Sequence, residues 1–189
     1  MGTVYLIRHG ETEWSRSGQH TSYTDLDLTP RGVEQAAALA PVLAGVGFTE
    51  VLTSPRLRAR RTADLAGLPA VTVDEDLAEW HYGRYEGLTS AQIHNRDRGW
   101  SLWTDGCPGG ETPDEVSARI DRLLVRVRPL AAVGHVALVA HGHCLRVVGA
   151  RWVGLPIAQA SLFYLDTASI SVLGHEHGEP VIRSWNRTT

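Results

Sequence analysis

Residues suited to moving a phosphoryl group stand together near the start of the chain, at residues 3–12, TVYLIRHGET. Arg8 offers a planar fork of donors matched to phosphate oxygens. His9 offers a ring nitrogen that is nucleophilic near neutral pH, and Gly10 a backbone that a ligand can approach closely. The apolar, β-favouring run Val4, Tyr5, Leu6, Ile7 predicts a buried strand that ends abruptly in this charge. That carboxyl edge is where open α/β sheets place their sites. A late apolar run, residues 135–140, ends in the same manner, in His141-Gly142-His143. Between them, Ser54-Pro55 predicts a helix over residues 56–65 that carries Arg56, Arg58, Arg60 and Arg61. A helix start at a strand's carboxyl end attracts anions.

The elements that must position these groups are legible from caps and periodicity. Thr29-Pro30 opens a helix with Val33, Ala36, Ala37, Ala40 and Leu43 at helical spacing, closed by Gly45 and Gly47. Residues 50–53 and 70–73 read as short strands and residues 89–96 as a short helix. Thr112-Pro113-Asp114-Glu115 is a capping box that opens a long helix with Val116, Ile120, Leu123, Leu124, Val127 and Leu130 on one face. A further helix covers residues 145–153 and stops at Leu155-Pro156. Residues 13–28, 74–87 and 100–110 read as loops. Residues 160–165 and 169–173 read as a closing hairpin across Asp166-Thr167, and residues 181–185 as an edge strand. Strands alternating with helices predict an α/β protein, a three-layer α/β/α sandwich on a mostly parallel, mixed sheet. No stretch rich in Pro, Gly or Ser divides the chain, so residues 1–189 read as a single domain.

Composition narrows the function. The chain is 43% hydrophobic and 21% charged, a globular balance that excludes disorder and fibrous repeats. A net charge of -3 and no basic block beyond residues 56–61 argue against nucleic acid. Every basic residue is arginine, which leaves only bidentate, permanently charged cations for an anion site. Cys107 and Cys144 are too few for a disulfide framework or a Cys-rich metal centre, and His175-Glu176-His177 lacks the spacing of a helical zinc motif. No metal and no cofactor are expected. No signal peptide and no apolar run of ~20 residues is present, so a cytoplasmic protein without a membrane partner is expected. The closing hairpin leaves an edge able to pair with a second copy as a homodimer.

Five separated positions then match, in chain order, the pattern of the histidine phosphatase (phosphoglycerate mutase-like) superfamily. Arg8-His9-Gly10 resembles its first signature, and SPRLRARRTA at residues 54–63 its Ser-Pro-x-x-Arg-Ala motif, with Arg58 as the arginine. LAEWHYGRYEG at residues 77–87 resembles its acid loop, with Glu79 as the acid, and His141 resembles its second histidine. Within that superfamily, GQHTSYTDLDLT at residues 18–29, EWHYGRYEGLT at residues 79–89 and DGCPGGET at residues 105–112 resemble the branch of sedoheptulose-1,7-bisphosphatase and acid-phosphatase-like enzymes.

The resemblance implies a phosphoglycerate mutase-like fold and a metal-independent phosphatase acting on phosphate monoesters of small metabolites, sugar phosphates or bisphosphates. His9 would form a phosphohistidine that water hydrolyses. Arg8, Arg58 and a protonated His141 would stabilise the transferring group, and Glu79 would give and take the proton. Gly10, Thr12, Ser15, His20, Thr21, Trp80, His81, Tyr82, Gly142, Arg146 and His177 would form the substrate shell. By pattern alone, Glu79 reads as a surface carboxylate and Tyr82 and the tryptophans as packing residues. The alternatives are a 2,3-bisphosphoglycerate-dependent phosphoglycerate mutase and a non-catalytic module that binds phosphorylated ligands. Ser15 stands where mutases carry Asn, and the acid loop lacks their longer insertion, which favours hydrolysis.

Overall fold

The two apolar runs that end in histidine lie side by side. In a computed structural model, which describes residues 2–189, β1 (Val4–Arg8) is flanked by a parallel strand, β4 (His135–Ala140), with Leu6 opposite Leu138 and Arg8 opposite Ala140. β2 (Phe48–Thr53) and β3 (Thr72–Val73) extend the parallel set, and β5 (Ile170–Glu176) and β6 (Glu179–Arg187) close the other side antiparallel. The order across the six-stranded sheet is β3-β2-β4-β1-β5-β6. Side chains alternate across a strand, so the continuous apolar runs of β1 and β4 supply both faces. Leu6 and Leu138 join a core with Ile120, Leu123, Val127 and Val148, whereas Ile7 and Val139 join one with Leu39, Leu43, Ala59 and Ala63.

The helices follow from their caps. α1 (Glu13–Ser17) comes directly after β1, and α2 (Pro30–Ala38), α3 (Ala40–Leu43) and α4 (Leu57–Leu65) flank one face. The short α5 (Ser90–His94) and α6 (Leu102–Asp105) precede α7 (Pro113–Val133) and α8 (Gly142–Trp152), which cover the other. This is the three-layer sandwich expected. Thr112 and Glu115 form the capping box of α7, and Thr29 Oγ1 accepts the Gly32 N–H at 3.0 Å to cap α2. Among the described residues, no helix is long and apolar enough to cross a membrane.

Some expectations are corrected. The helix after Thr29 breaks at Leu39, because Pro41 has no N–H with which to continue the ladder, and Ala37 faces solvent while Gly32, Ala36, Leu39 and Leu43 are buried. Residues 13–28 are not all loop: Thr12 and Ser15 form a capping box that starts α1. Residues 102–105 likewise form a short helix. Ser54 does not cap α4. That helix starts with Arg56 as an N-cap lacking a side-chain bond, and Asp25 Oδ1 takes the Leu57 N–H at 2.8 Å from a distant loop. Residues 160–165 form no strand. Ile157–Leu162 is a 3₁₀ helix, and the carbonyls of Ala160, Ser161 and Leu165 accept from Arg146 and Arg8 instead of a sheet ladder. The hairpin is β5–β6, turning at His177-Gly178, where both residues have the positive φ that a two-residue turn favours.

Gly10 serves packing rather than a ligand. A Cβ there would lie 2.4 Å from the Gly32 carbonyl oxygen in the first turn of α2, and the Gly10 N–H already donates to Thr62 Oγ1 at 3.0 Å. Gly10→Ala is therefore expected to force β1 and α2 apart and lower stability by about 1–3 kcal/mol. Thermal unfolding checks this, and a melting temperature equal to that of wild type would contradict it.

Candidate active site

The parallel register brings the carboxyl ends of β1, β2 and β4 to one edge. The His9 N–H donates to the Ala140 carbonyl at 3.0 Å and the Ser54 N–H to the Val139 carbonyl at 2.9 Å. His9 and His141 thus meet with ring centroids 5.1 Å apart, although 132 positions separate them in sequence. A cavity of about 200 Å³ opens here, lined by Arg8, His9 and Glu79.

The state of His9 follows from its neighbours. Nδ1 lies 2.7 Å from the Gly10 carbonyl, which can only accept, so the ring proton is on Nδ1 and Nε2 carries a bare lone pair. Burial, reinforced by Arg58 and Arg8, holds its pKa well below 6.5. The nitrogen is therefore neutral at pH 7. Arg8 reaches past Gly142, where a Cβ would lie 3.3 Å from the guanidinium carbon, and donates one N–H to the Leu165 carbonyl. Its buried Nε has no partner among the described residues.

Arg58 is fully buried behind His9 and does not line the cavity. Its guanidinium is spent on the carbonyls of Thr21, Ser22 and Thr24 at 3.0–3.1 Å, and its Nε donates to His141 Nδ1 at 3.1 Å. That bond fixes the tautomer of His141: the proton sits on Nε2, 2.6 Å from Ser54 Oγ. Burial and then Arg58 hold the pKa of His141 well below 6.5. His141 is thus a neutral donor in this arrangement. The loop that grips Arg58 is itself folded around Glu86, whose carboxylate accepts the amides of Ser22 and Thr24 and the Ser22 hydroxyl at 2.5–3.1 Å.

Glu79 sits at the start of α8. Its oxygens accept the amides of Trp80, His143 and Cys144 at 2.8–3.0 Å, which leaves one lone-pair site on Oε2. The acid loop is anchored from below by Arg119, which forms a bidentate pair with Glu111 at 2.8–2.9 Å and donates to the Asp76 and Ala78 carbonyls.

Of the expected substrate shell, Thr12, Ser15, His20, Thr21, Tyr82, Gly142 and Arg146 line the cavity. Gly10 does not, because α2 occupies its open side. Trp80 is fully buried, with its indole N–H on the Glu111 carbonyl, so it packs the core. His81 turns toward Tyr23, ring centroids 5.1 Å apart. His177 lies at the β5–β6 turn, and since β5 runs antiparallel to β1 that turn is at the opposite edge of the sheet. Sequence reasoning missed Gly18, Gln19, Ser90, His143, Tyr164 and Leu165 in the lining. Only His143 carried a signal, as the second histidine of the strand-end triplet.

Two expectations follow from this electrostatic arrangement. His9, His20, His141 and His143 all have pKa values lowered by burial, so the unfolded chain binds more protons below pH 6.5. Their contribution to stability is complete above pH 6.5 and lost as pH falls, with a slope of up to about 1.4 kcal/mol per pH unit for each. Urea unfolding at pH 7.5, 6.5 and 5.5 measures this, and unchanged stability at pH 5.5 would refute it. Glu86→Gln places an amide N–H₂ against backbone N–H donors, loosens the grip on Arg58 and is expected to lower kcat/KM for a phosphate monoester about tenfold. Steady-state kinetics at fixed pH decides, with an unaltered value as the contrary result.

The histidine phosphatase superfamily (branch 1) profile matches residues 4–188. An acid phosphatase of Mycobacterium tuberculosis is 44% identical over 177 residues, spanning 93% of this chain and 87% of that protein. Sedoheptulose 1,7-bisphosphatase of Saccharomyces cerevisiae is 38% identical over 183 residues, spanning 80% and 68%. A solved structure from Mycobacterium tuberculosis superposes with a TM-score of 0.95 at 41% identity, covering 99% of this chain and 98% of that one. A sheet edge that joins two histidines, two arginines and a carboxylate, on a chain matched along nearly its whole length, places the protein in the histidine phosphatase superfamily, branch 1, as a phosphatase.

Proposed function

We propose that the chain hydrolyses phosphate monoesters of small metabolites, sugar phosphates or bisphosphates, by passing the phosphoryl group through Nε2 of His9. The observation that carries this reading is one cavity lined both by His9, whose Nε2 is a bare imidazole nitrogen, and by Arg8, whose guanidinium makes a single hydrogen bond among the described residues, to the Leu165 carbonyl. The guanidinium N–H groups left over are donors that phosphate oxygens match. The cavity of about 200 Å³ suits a phosphoryl group on a small alcohol.

In the first step Nε2 attacks phosphorus. The N–P bond forms as the P–O bond to the alcohol breaks, and the electron pair leaves on the alcohol oxygen, which takes a proton from Glu79. In the second, water attacks phosphorus and gives its proton to Glu79 as the N–P bond breaks, releasing phosphate and the original His9. Arg8 meets the transferring charge directly. Arg58 acts through space and through His141, which it holds beside His9 with its Nε2–H on Ser54 Oγ. One such unit charge at 4 Å contributes about 4 kcal/mol at an effective dielectric of 20.

The test is turnover of p-nitrophenyl phosphate in EDTA together with an alkyl phosphate. Wild type should hydrolyse both, and His9→Ala neither. Glu79→Gln should slow the alkyl ester about 10²-fold or more and the nitrophenyl ester much less, since only the alkoxide needs a proton to leave. Equal losses would remove Glu79 from the acid role, and a trapped phosphoryl group on a residue other than His9 would end the proposal.

A further inference from the structure

Next to Glu79 the cavity wall carries a cluster, His20, Tyr82 and His143, with Trp103 packed against it, that the two chemical steps do not use. The rings of His20 and His143 stack with 19° between their planes and centroids 5.9 Å apart, and Trp103 stands edge-on to His143 at 5.2 Å. Both histidines and Tyr82 line the cavity.

The hydrogen bonds assign a proton to each ring. Nδ1 of His143 lies 2.5 Å from the Tyr82 hydroxyl. The phenol is the stronger donor and the imidazole nitrogen the stronger acceptor, so Tyr82 donates and the ring proton of His143 sits on Nε2. Burial keeps Tyr82 protonated by raising its pKa well above 10.0, and burial with Arg146 nearby keeps His143 neutral. His143 Nε2 makes no hydrogen bond with the described residues. His20 is the complement: its Nδ1–H donates to the Leu88 carbonyl at 2.7 Å, leaving Nε2 as an acceptor. One wall of the cavity thus offers a fixed N–H donor beside a fixed lone pair, the two partners that a hydroxyl group uses at once.

We propose that His143, oriented by Tyr82, is a specificity-determining residue that donates from Nε2 to a hydroxyl on the carbon skeleton of the leaving alcohol, so that the site selects hydroxylated phosphate esters over plain alkyl phosphates. This rests on the phosphatase reading above. The position fits that reaction: the backbone N–H of His143 is 3.0 Å from Glu79 Oε2, the oxygen that protonates the leaving group. Glu79 and His143 line the same cavity, so a leaving group protonated by Glu79 shares that space with His143. An alkyl chain in the same place leaves a fixed donor and a fixed acceptor unmatched, which is how polar sites reject deoxy analogues.

The experiment compares glycerol 3-phosphate with n-propyl phosphate, which share a skeleton and a leaving-group type but differ in the hydroxyls. Wild type is expected to favour the glycerol ester at least tenfold in kcat/KM. His143→Leu should erase most of that ratio, and His143→Gln, whose amide can accept from Tyr82 and still donate, should restore it. Tyr82→Phe should lower the ratio by freeing the His143 tautomer. A general structural defect would lower both esters in proportion and leave the ratio intact, which overturns the assignment, as does a wild-type ratio near one. Hydrolysis of neither ester by wild type would instead refute the phosphatase reading itself, and this inference with it.

Discussion

Two guanidinium groups and two imidazoles share one buried edge of the sheet, and the structure tolerates this only because the imidazoles stay neutral. Arg8 and Arg58 keep their charge at any physiological pH. A third or fourth cation beside them would go unpaired in a region of low dielectric, where such groups cost several kcal/mol. The chain meets this constraint with carbonyl oxygens. Gly10 holds the proton of His9 on Nδ1, Leu165 takes one donor of Arg8, and residues 21–24 wrap Arg58 with carbonyls gathered by Glu86. What remains is one lone pair on His9 and the unused N–H donors of Arg8, on two residues that line the cavity. The proposed nucleophile and anion clamp are therefore the residue of a charge-neutralising arrangement, each defined by what its neighbours have already taken.

The start of α8 links the rest of the site to this pair. His141 is its N-cap residue, Gly142 leaves room for Arg8, and the amides of His143 and Cys144 hold both oxygens of Glu79. A helix N-terminus favours a carboxylate through its free N–H groups and its dipole. One turn of helix thus sets the distance between the second histidine and the acid, and the next turn presents Arg146, whose guanidinium lies over the Trp103 ring at 4.4 Å. Because β4 feeds α8 directly, the register of β1 against β4 governs the position of Arg8 and His9 relative to His141 and Glu79. Arg119 and Glu111 do the corresponding work for the acid loop, which has little regular structure of its own.

Local signals make most of the architecture legible in the sequence. The capping box at Thr112, the cap and proline at Thr29, the apolar runs at residues 4–7 and 135–140 and their charged ends each act within a few residues, where the energy of a cap or of side-chain periodicity is decided by sequence neighbours. Readings failed where a distant group competed. Ser54 looks like a helix cap, yet its hydroxyl faces His141 and Asp25 supplies the bond instead. Residues 160–165 look like a strand, yet arginine side chains from β1 and α8 claim their carbonyls. Gly10 looks like room for a ligand and proves to be room for α2.

The sequence by itself determined which residue types reach the carboxyl edge of the sheet, because strand ends and helix starts follow from local pattern and the motifs match a family along the chain. The tertiary structure alone decided their protonation and their roles: the proton on Nδ1 of His9, the neutral state of His141, the withdrawal of Arg58 behind the cavity, the placement of Trp80 in the core and of His177 at the far edge, and the entry of His143 into the wall. Each of these depends on which buried oxygen or nitrogen faces a ring or a guanidinium from a remote segment, and on the burial that shifts its pKa. Spacing along one chain carries no record of either.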